Sequence, residues 1–261
     1  MGKIIAIANQ KGGVGKTTTA VNLSAAVGGL GKKVLLLDMD PQGNSTSGYG
    51  IIKKTVKSTC YDMLVNGYKA EEVRIATKFM GVDVIPSSID VAAAEIEMVG
   101  NSDRTNILKK AIAKAKSEYD YIFIDCPPSL GLITINALTA SDSVIIPIQC
   151  EYYALEGLSQ LVSTIKQVKR LYNPHIDIEG VLLTMYDARL NLTMQVVAEV
   201  KKFFPQKVFR TTIPRNVRLS EAPSFGEPVM YYDKASKGAI AYSDFASELL
   251  QNNKGGDIIA N

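Results

Sequence analysis

Three kinds of side chain recur in this chain at spacings that chemistry uses: lysines inside a glycine-rich turn, a hydroxyl directly after them, and aspartates closing apolar runs. The turn is Asn9-Gln10-Lys11-Gly12-Gly13-Val14-Gly15-Lys16-Thr17-Thr18. A backbone that wraps a polyphosphate must point its N–H groups inward, and a Cβ would block that approach. Lys16 supplies a mobile cation for β and γ phosphates, and the Thr17 hydroxyl is placed to ligate Mg²⁺. The aspartates are Asp38 and Asp40 in Asp38-Met39-Asp40-Pro41-Gln42-Gly43-Asn44, and Asp125 at the end of Tyr121-Ile122-Phe123-Ile124. An acid closing an apolar strand beside such a turn holds Mg²⁺, usually through water, which assigns Asp125 to the metal. Together these residues fit the binding of a nucleoside triphosphate and the transfer of its terminal phosphoryl group.

The elements that position them read directly from the apolar pattern. Ile4 to Ala8 is a β-branched run feeding the turn, and Ala20, Val21, Leu23, Ala26 and Val27 form the apolar side of a helix leaving it. That helix adds the positive end of its dipole to the phosphate site. Val34 to Leu37 is continuous and apolar, as in a parallel strand buried on both faces, and it delivers Asp38 and Asp40 to the carboxyl end where open sheets bind ligands. Carboxylates alternating about a strand end cannot both face the same way, so at most one addresses a reacting water.

Further strands are expected at 82–86, 143–148 and 181–185. Helices are expected over 60–65, 91–99 (capped from Ser87-Ser88), 105–116, 156–171 and 192–203. Residues 45–90 and the alanine-rich helix after them carry no catalytic pattern and read as packing or a dimer surface. The alternation predicts an α/β fold: a single doubly wound, mostly parallel sheet with helices on both faces. No linker divides the chain, so 1–261 reads as one domain, with about 251–261 as a loose tail because glycine pairs and asparagines break a helix.

Composition narrows the class. With 261 residues, 46% of them hydrophobic, the chain can bury a substantial core. No apolar run reaches the length of a membrane span, and Met1-Gly2-Lys3 leads straight into a strand, so no signal peptide is expected. Cys60, Cys126 and Cys150 lack metal-site spacing and read as isolated reduced thiols. A net charge of +3 permits nucleic-acid binding without indicating it.

The turn departs from the ordinary G-x-x-x-x-G-K-[ST] spacing: Gln10 replaces the first glycine, and a second lysine, Lys11, heads the loop. This K-G-G-x-G-K-T pattern, with D-x-D-P-Q and D-x-P-P, resembles the deviant Walker A family of ParA, MinD and Soj ATPases, and most closely its chromosomal ParA/Soj branch. The resemblance runs from Lys3 to near Leu250. It implies that ATP–Mg²⁺ is held by Lys11, Gly12, Gly13, Val14, Gly15, Lys16, Thr17 and Thr18, and that Lys11 reaches the phosphates bound by a second subunit. It implies that Asp40 orients the attacking water while Asp38 lies nearer Mg²⁺ or Lys16, and that the segment after Asp125 is a switch sensing the γ-phosphate.

It also implies that Pro214 packs on adenine and Asn216 reads the base edge. It implies an ATP-dependent homodimer that binds DNA non-specifically, with Arg189 and Arg218 favoured for that face. A ParB-type partner on centromere-like DNA and a cytoplasmic, nucleoid-associated location follow from the same resemblance. The rival readings are a MinD-like membrane ATPase, a nitrogenase-reductase-like iron–sulfur protein, and a module that holds ATP without turnover. A basic amphipathic C-terminal helix would favour the first, but 251–261 carries one cation. Cluster cysteines would favour the second, and Asp40 argues against the third.

Overall fold

The computed structural model describes residues 2–151 and 154–256. Seven strands form one sheet: β1 (Lys3–Ile7), β2 (Val34–Asp38), β3 (Ile75–Ala76), β4 (Val82–Ile85), β5 (Tyr121–Asp125), β6 (Ser143–Gln149) and β7 (Asp177–Thr184). Their order is β3-β4-β2-β5-β1-β6-β7, and every pairing is parallel except the two-residue edge strand β3 against β4. The helices that bear on the site are α1 (Lys16–Gly29), α2 (Val91–Glu97), α3 (Leu132–Ala140), α4 (Ala154–Leu171), α5 (Asn191–Phe203) and α6 (Lys237–Gly256). The expected doubly wound, mostly parallel α/β sheet is what forms.

Strand alternation divides the core into two apolar clusters, one on each face. Leu35 and Leu37 of β2, with Ile122 and Ile124 of β5, enter one; Val34 and Leu36, with Phe123, enter the other. All of β2 is buried, and burying each leucine is worth roughly 2 kcal/mol relative to exposure. That rigid centre sets a crevice at the carboxyl ends of β1, β2 and β5, the place where crossovers leave in opposite directions.

Three expectations need correction. The stretch 105–116 is two short helices, Ile107–Ala111 and Ala115–Glu118, although Leu108, Ala111, Ile112 and Ala115 are all buried. The apolar spacing reported which side faces the core, and burial of that side does not require an unbroken backbone. Helix α2 has no side-chain cap; the turn bond from Val91 N–H to Ser88 O starts it, while the Ser88 hydroxyl goes to Asp90. Gln251 to Gly256 stay helical as the end of α6, where Lys3 donates to the half-buried Asn253, so tertiary contact outweighs weak local propensity. The remainder of the expected tail, 257–261, lies outside the described residues. Among the described residues no helix is long and apolar enough to cross a membrane.

Candidate functional site

The glycine turn is built as its residue types require. Gly13 and Gly15 hold φ values of +74° and +88°, a left-handed backbone that strains any residue with a Cβ. Gly15 then opens α1, whose first turn carries no acid to compete for an anion at its N-terminus. Asn9 fastens the loop to the sheet: its amide donates to Pro147 O at 2.8 Å, and its Oδ1 accepts the Lys11 N–H at 3.0 Å. From the other side the Thr184 hydroxyl donates to Val14 O at 2.8 Å. Gly12 is exposed, while Thr17 and Thr18 are half-buried along the start of α1.

The two lysines behave differently. Lys16 is buried, and its ammonium donates to the carbonyl of Lys11 at 3.0 Å across the mouth of the loop. Burial lowers its pKa, and Asp125 and Asp40 pull it back up. Lys11 leaves a third of its side chain exposed and reaches Glu151 at 3.4 Å, a contact too open to hold it firmly.

The carboxylates owe their proximity to strand register. Asp38 and Asp125 are lateral partners on adjacent parallel strands, so their side chains leave the same face. Both are fully buried, and burial pushes both pKa values up; the Asp38 charge raises Asp125 further, and the Asp40 charge raises Asp38. Asp38 is committed: Oδ2 accepts the Thr46 N–H at 2.8 Å and its hydroxyl at 2.7 Å, and Oδ1 accepts the Asp40 N–H at 3.2 Å. It therefore sits beside Asp125, and the acids acting on Lys16 are Asp125 and Asp40. Asp40 is nearly buried in the following turn, with Oδ1 accepting the Gln42 N–H at 2.9 Å.

Asp125 Oδ2 accepts the Ser45 hydroxyl at 2.8 Å, whereas its buried Oδ1 has no hydrogen-bond partner. The Thr17 hydroxyl acts on the same carboxylate and lowers its pKa against the burial. An orphaned carboxylate oxygen beside a hydroxyl is a hard oxygen-donor set, which suits Mg²⁺. All three cysteines are free and buried, and burial raises each thiol, so Cys126 beside the site is unreactive packing.

Beyond Gly15 a cavity of about 330 Å³ opens between the loop and the segment 213–216. Pro214 and Asn216 line it with Thr18, Met185 and Tyr242. Met185 holds φ at +49°, the one non-glycine residue with a left-handed backbone among the described residues, where the chain turns out of β7 into this cavity wall. The wall is sutured to β7: Ile213 N–H donates to Leu183 O and Tyr186 N–H to Ile213 O, both at 2.9 Å. Asn216 Oδ1 accepts the Arg218 N–H at 3.0 Å and caps the helix Val217–Glu221.

Helix α6 backs the cavity. Tyr242 meets the Thr19 hydroxyl at 3.1 Å, and Glu248 accepts the N–H groups of Arg210 and Thr211, both at 2.8 Å. Arg189 is strongly exposed and forked onto Asp187, and Arg218 pairs with Glu221 and Asp233. The bridge between Tyr186 and Pro214 sets the two arginine-bearing loops side by side, and Arg215 is close enough to lower the Asp187 pKa.

Several site residues escaped the sequence reading. Ser45 and Thr46 hold the aspartates, and their only signal was adjacency to the D-x-D-P-Q-G-N segment. Thr184 lay at the carboxyl end of a recognisable strand. Tyr242 and Glu248 had no signal, since a helix far along the chain brings them in.

A glycine loop opening α1, buried acids on neighbouring strand ends and a cavity of about 330 Å³ beside the loop fit a phosphate-loop nucleotide-binding protein. A family model described as an AAA domain matches residues 2–178. The sporulation initiation inhibitor protein Soj of Bacillus subtilis is 60% identical over 252 residues, covering 97% of this chain and 100% of that one. The chromosome partitioning protein ParA of Myxococcus xanthus is 51% identical, covering 97% and 89%. A crystal structure named for cobyrinic acid a,c-diamide synthase from Mycobacterium smegmatis, with bound ATP analog and magnesium, superposes with a TM-score of 0.86 at 36% identity, covering 98% and 97%. The chain belongs to the Soj/ParA family of chromosome-partitioning P-loop ATPases.

Proposed function

We propose that this chain binds ATP with Mg²⁺, dimerises on it, binds DNA as the dimer, and hydrolyses ATP to ADP and phosphate to return to monomers during chromosome or plasmid partitioning. The observation that carries the reading is the contrast between the two loop lysines. Lys16 is buried over its own loop, whereas Lys11 leaves the same loop for a partly exposed, weakly held position from which it can reach a second subunit.

In this reading the N–H groups of 12–18 and the Lys16 ammonium hold the β and γ phosphates, and Lys11 of each subunit completes the other's site. Thr17 and Asp125 hold Mg²⁺, which when bound neutralises phosphate charge. Asp40 positions the attacking water, and Ser45 keeps Asp125 aimed into the crevice. Positioning and charge neutralisation supply most of the rate, because phosphoryl transfer asks little covalent chemistry of the protein. Pro214 and the Asn216 NH₂ group recognise the base.

Arg189 and Arg218, doubled by the dimer's symmetry, contact the phosphate backbone, which makes DNA binding follow nucleotide state. A ParB-type partner on centromere-like DNA stimulates turnover, and the protein works in the cytoplasm on the nucleoid. Sedimentation with ADP, with ATP, and with ATP plus DNA tests the scheme. ATP should produce a dimer that carries DNA, ADP a monomer that does not, and a persistent monomer with ATP would refute it.

A further inference from the structure

The segment after Asp40 is held from a direction that no nucleotide motif announces. Asp40-Pro41-Gln42-Gly43 is a tight turn closed by the Gly43 N–H on Asp40 O at 2.9 Å, and Pro41 brings no N–H of its own. The Asp40 side chain joins the same turn, since its Oδ1 accepts the Gln42 N–H at 2.9 Å. The chain then enters the short helix Asn44–Gly48, whose Ser45 reaches Asp125 and whose Thr46 reaches Asp38. One turn thus sets the Asp40 carboxylate and the start of the helix that holds the other two acids.

Gly43 is the weak point of this turn. Its φ is +62°, and a Cβ there would lie 2.8 Å from Lys53 Cδ and 3.3 Å from Ser87 O, so conformation and space both call for glycine. The same freedom leaves the peptide between Gln42 and Gly43 easy to rotate. That peptide is planar, with its C=O and N–H on opposite sides. Asp40 O accepts on the N–H side, and the Lys53 ammonium donates to Gln42 O on the other, at 2.7 Å. Held at both edges, the plane cannot turn without breaking both bonds. Lys53 arrives because the chain doubles back after the helix: Gly50 holds φ at +72°, and the N–H groups of Gly50 and Ile51 bond to Ser47 O and Thr46 O. The Lys53 side chain is exposed, and its bond is charge-assisted, stronger than a neutral one.

We propose that Lys53 is a positioning residue for hydrolysis: it fixes the Gln42–Gly43 peptide, and through that peptide the Asp40 carboxylate. The proposal rests on the reading of Asp40 as the residue that places the attacking water. Lys53 bonds to the backbone of the turn and lies outside the glycine loop, so removing it acts on turnover and spares ATP affinity. Small displacements are enough, because misplacing a reacting group by about 1 Å costs up to about 10²-fold in rate.

The test measures single-turnover ATP hydrolysis with Mg²⁺ and equilibrium ATP binding, on the full chain, for Lys53→Met, Lys53→Arg and Asp40→Ala. Lys53→Met keeps the stem that lies over Gly43 and loses the donor, whereas Lys53→Arg keeps a donor. Lys53→Met should lower the rate constant of the bound complex about tenfold with ATP affinity unchanged, and Lys53→Arg should stay within about twofold of wild type. Lys53 is exposed, so both variants keep their fold, and thermal melting checks that they have. An undiminished rate in Lys53→Met overturns the proposal. So does a loss of ATP affinity as large as the loss of rate, or a Lys53→Arg variant no better than Lys53→Met. Asp40→Ala separates this failure from that of the reading beneath it. An inactive Asp40→Ala beside a fully active Lys53→Met strikes Lys53 alone, whereas an Asp40→Ala chain that hydrolyses at the wild-type rate strikes the reading of Asp40 and the proposal with it.

Discussion

The two ends of the nucleotide crevice are built on different principles. At the phosphate end, β1, β2 and β5 place Asp38 beside Asp125 by register alone, and both carboxylates are buried and bonded to a neighbour on another element, Thr46 and Ser45. At the base end, the segment 210–216 is a loop sutured to β7 and clamped by α6, and Arg189 and Arg218 beside it are exposed and paired with local acids. The first arrangement is rigid because the sheet cannot shift one strand without breaking the core. The second is more adjustable, since the ion pairs of Arg189 and Arg218 lie at the surface and can exchange without unpacking the core. The proposed function puts chemistry at the rigid end and recognition of partners at the adjustable one.

If that contrast holds, substitutions at the rigid end should be severe and indifferent to salt. Lys16→Ala removes a buried ammonium from the phosphate site and should cost about 10² or more in ATP affinity, ~2.7 kcal/mol, read by equilibrium binding. Retained affinity would show that the loop backbone alone grips the phosphates. Asp40→Ala should leave binding intact and abolish turnover, so that ATP accumulates a stable dimer in sedimentation. A monomer that still releases phosphate would remove Asp40 from its assigned place.

The same contrast explains how far the sequence could be read. The rigid end was legible because strand patterns are local: Val34 to Leu37 and Ile122 to Ile124 announce buried strands, and the acids close them. Sequence could not show that Asp38 would be spent on Thr46, because that depends on where a five-residue helix after Gly43 folds back. At the base end Pro214 and Asn216 came only from resemblance, and Glu248 from nothing, since a residue 37 positions away supplies the clamp on Thr211. Helices 107–111 and 115–118 fail in the opposite sense: the buried side was read correctly and the backbone break was not. The period of apolar residues records which side faces the core, but not whether hydrogen bonds run unbroken beneath it.

At the adjustable end, effects should be moderate and strongly salt-dependent. Arg189→Ala removes one phosphate contact per protomer, so the slope of log affinity against log salt should fall by about 2 for the dimer. The ion pair adds a prediction of opposite sign. Asp187, held down to about 2 by the hydrogen bonds of Arg189, occupies the guanidinium fork. Asp187→Asn should free that fork and tighten DNA binding severalfold at low salt, while nucleotide affinity stays unchanged. Weaker binding would mean that Asp187 orients Arg189 toward DNA instead of competing with it.

The smallest effect is the most discriminating, because it asks whether the two ends act independently. Burial alone would raise the Glu248 pKa, but its hydrogen bonds from Thr211 and Arg210 outweigh burial and lower it. A carboxylate depressed in the folded state contributes stability above its unfolded pKa, and that contribution disappears as pH falls through the folded value. Acidification below the ordinary carboxylate range, about pH 4, should therefore loosen the clamp on 210–211. Glu248→Gln keeps the shape but replaces two carboxylate acceptors with one amide oxygen. It should weaken ATP binding severalfold through the base loop, leave turnover of bound ATP unchanged, and remove this clamp's share of the acid dependence. If turnover fell as much as affinity, the base loop would be coupled to the aspartates, and the division between a rigid reacting end and an adjustable recognition end would not stand.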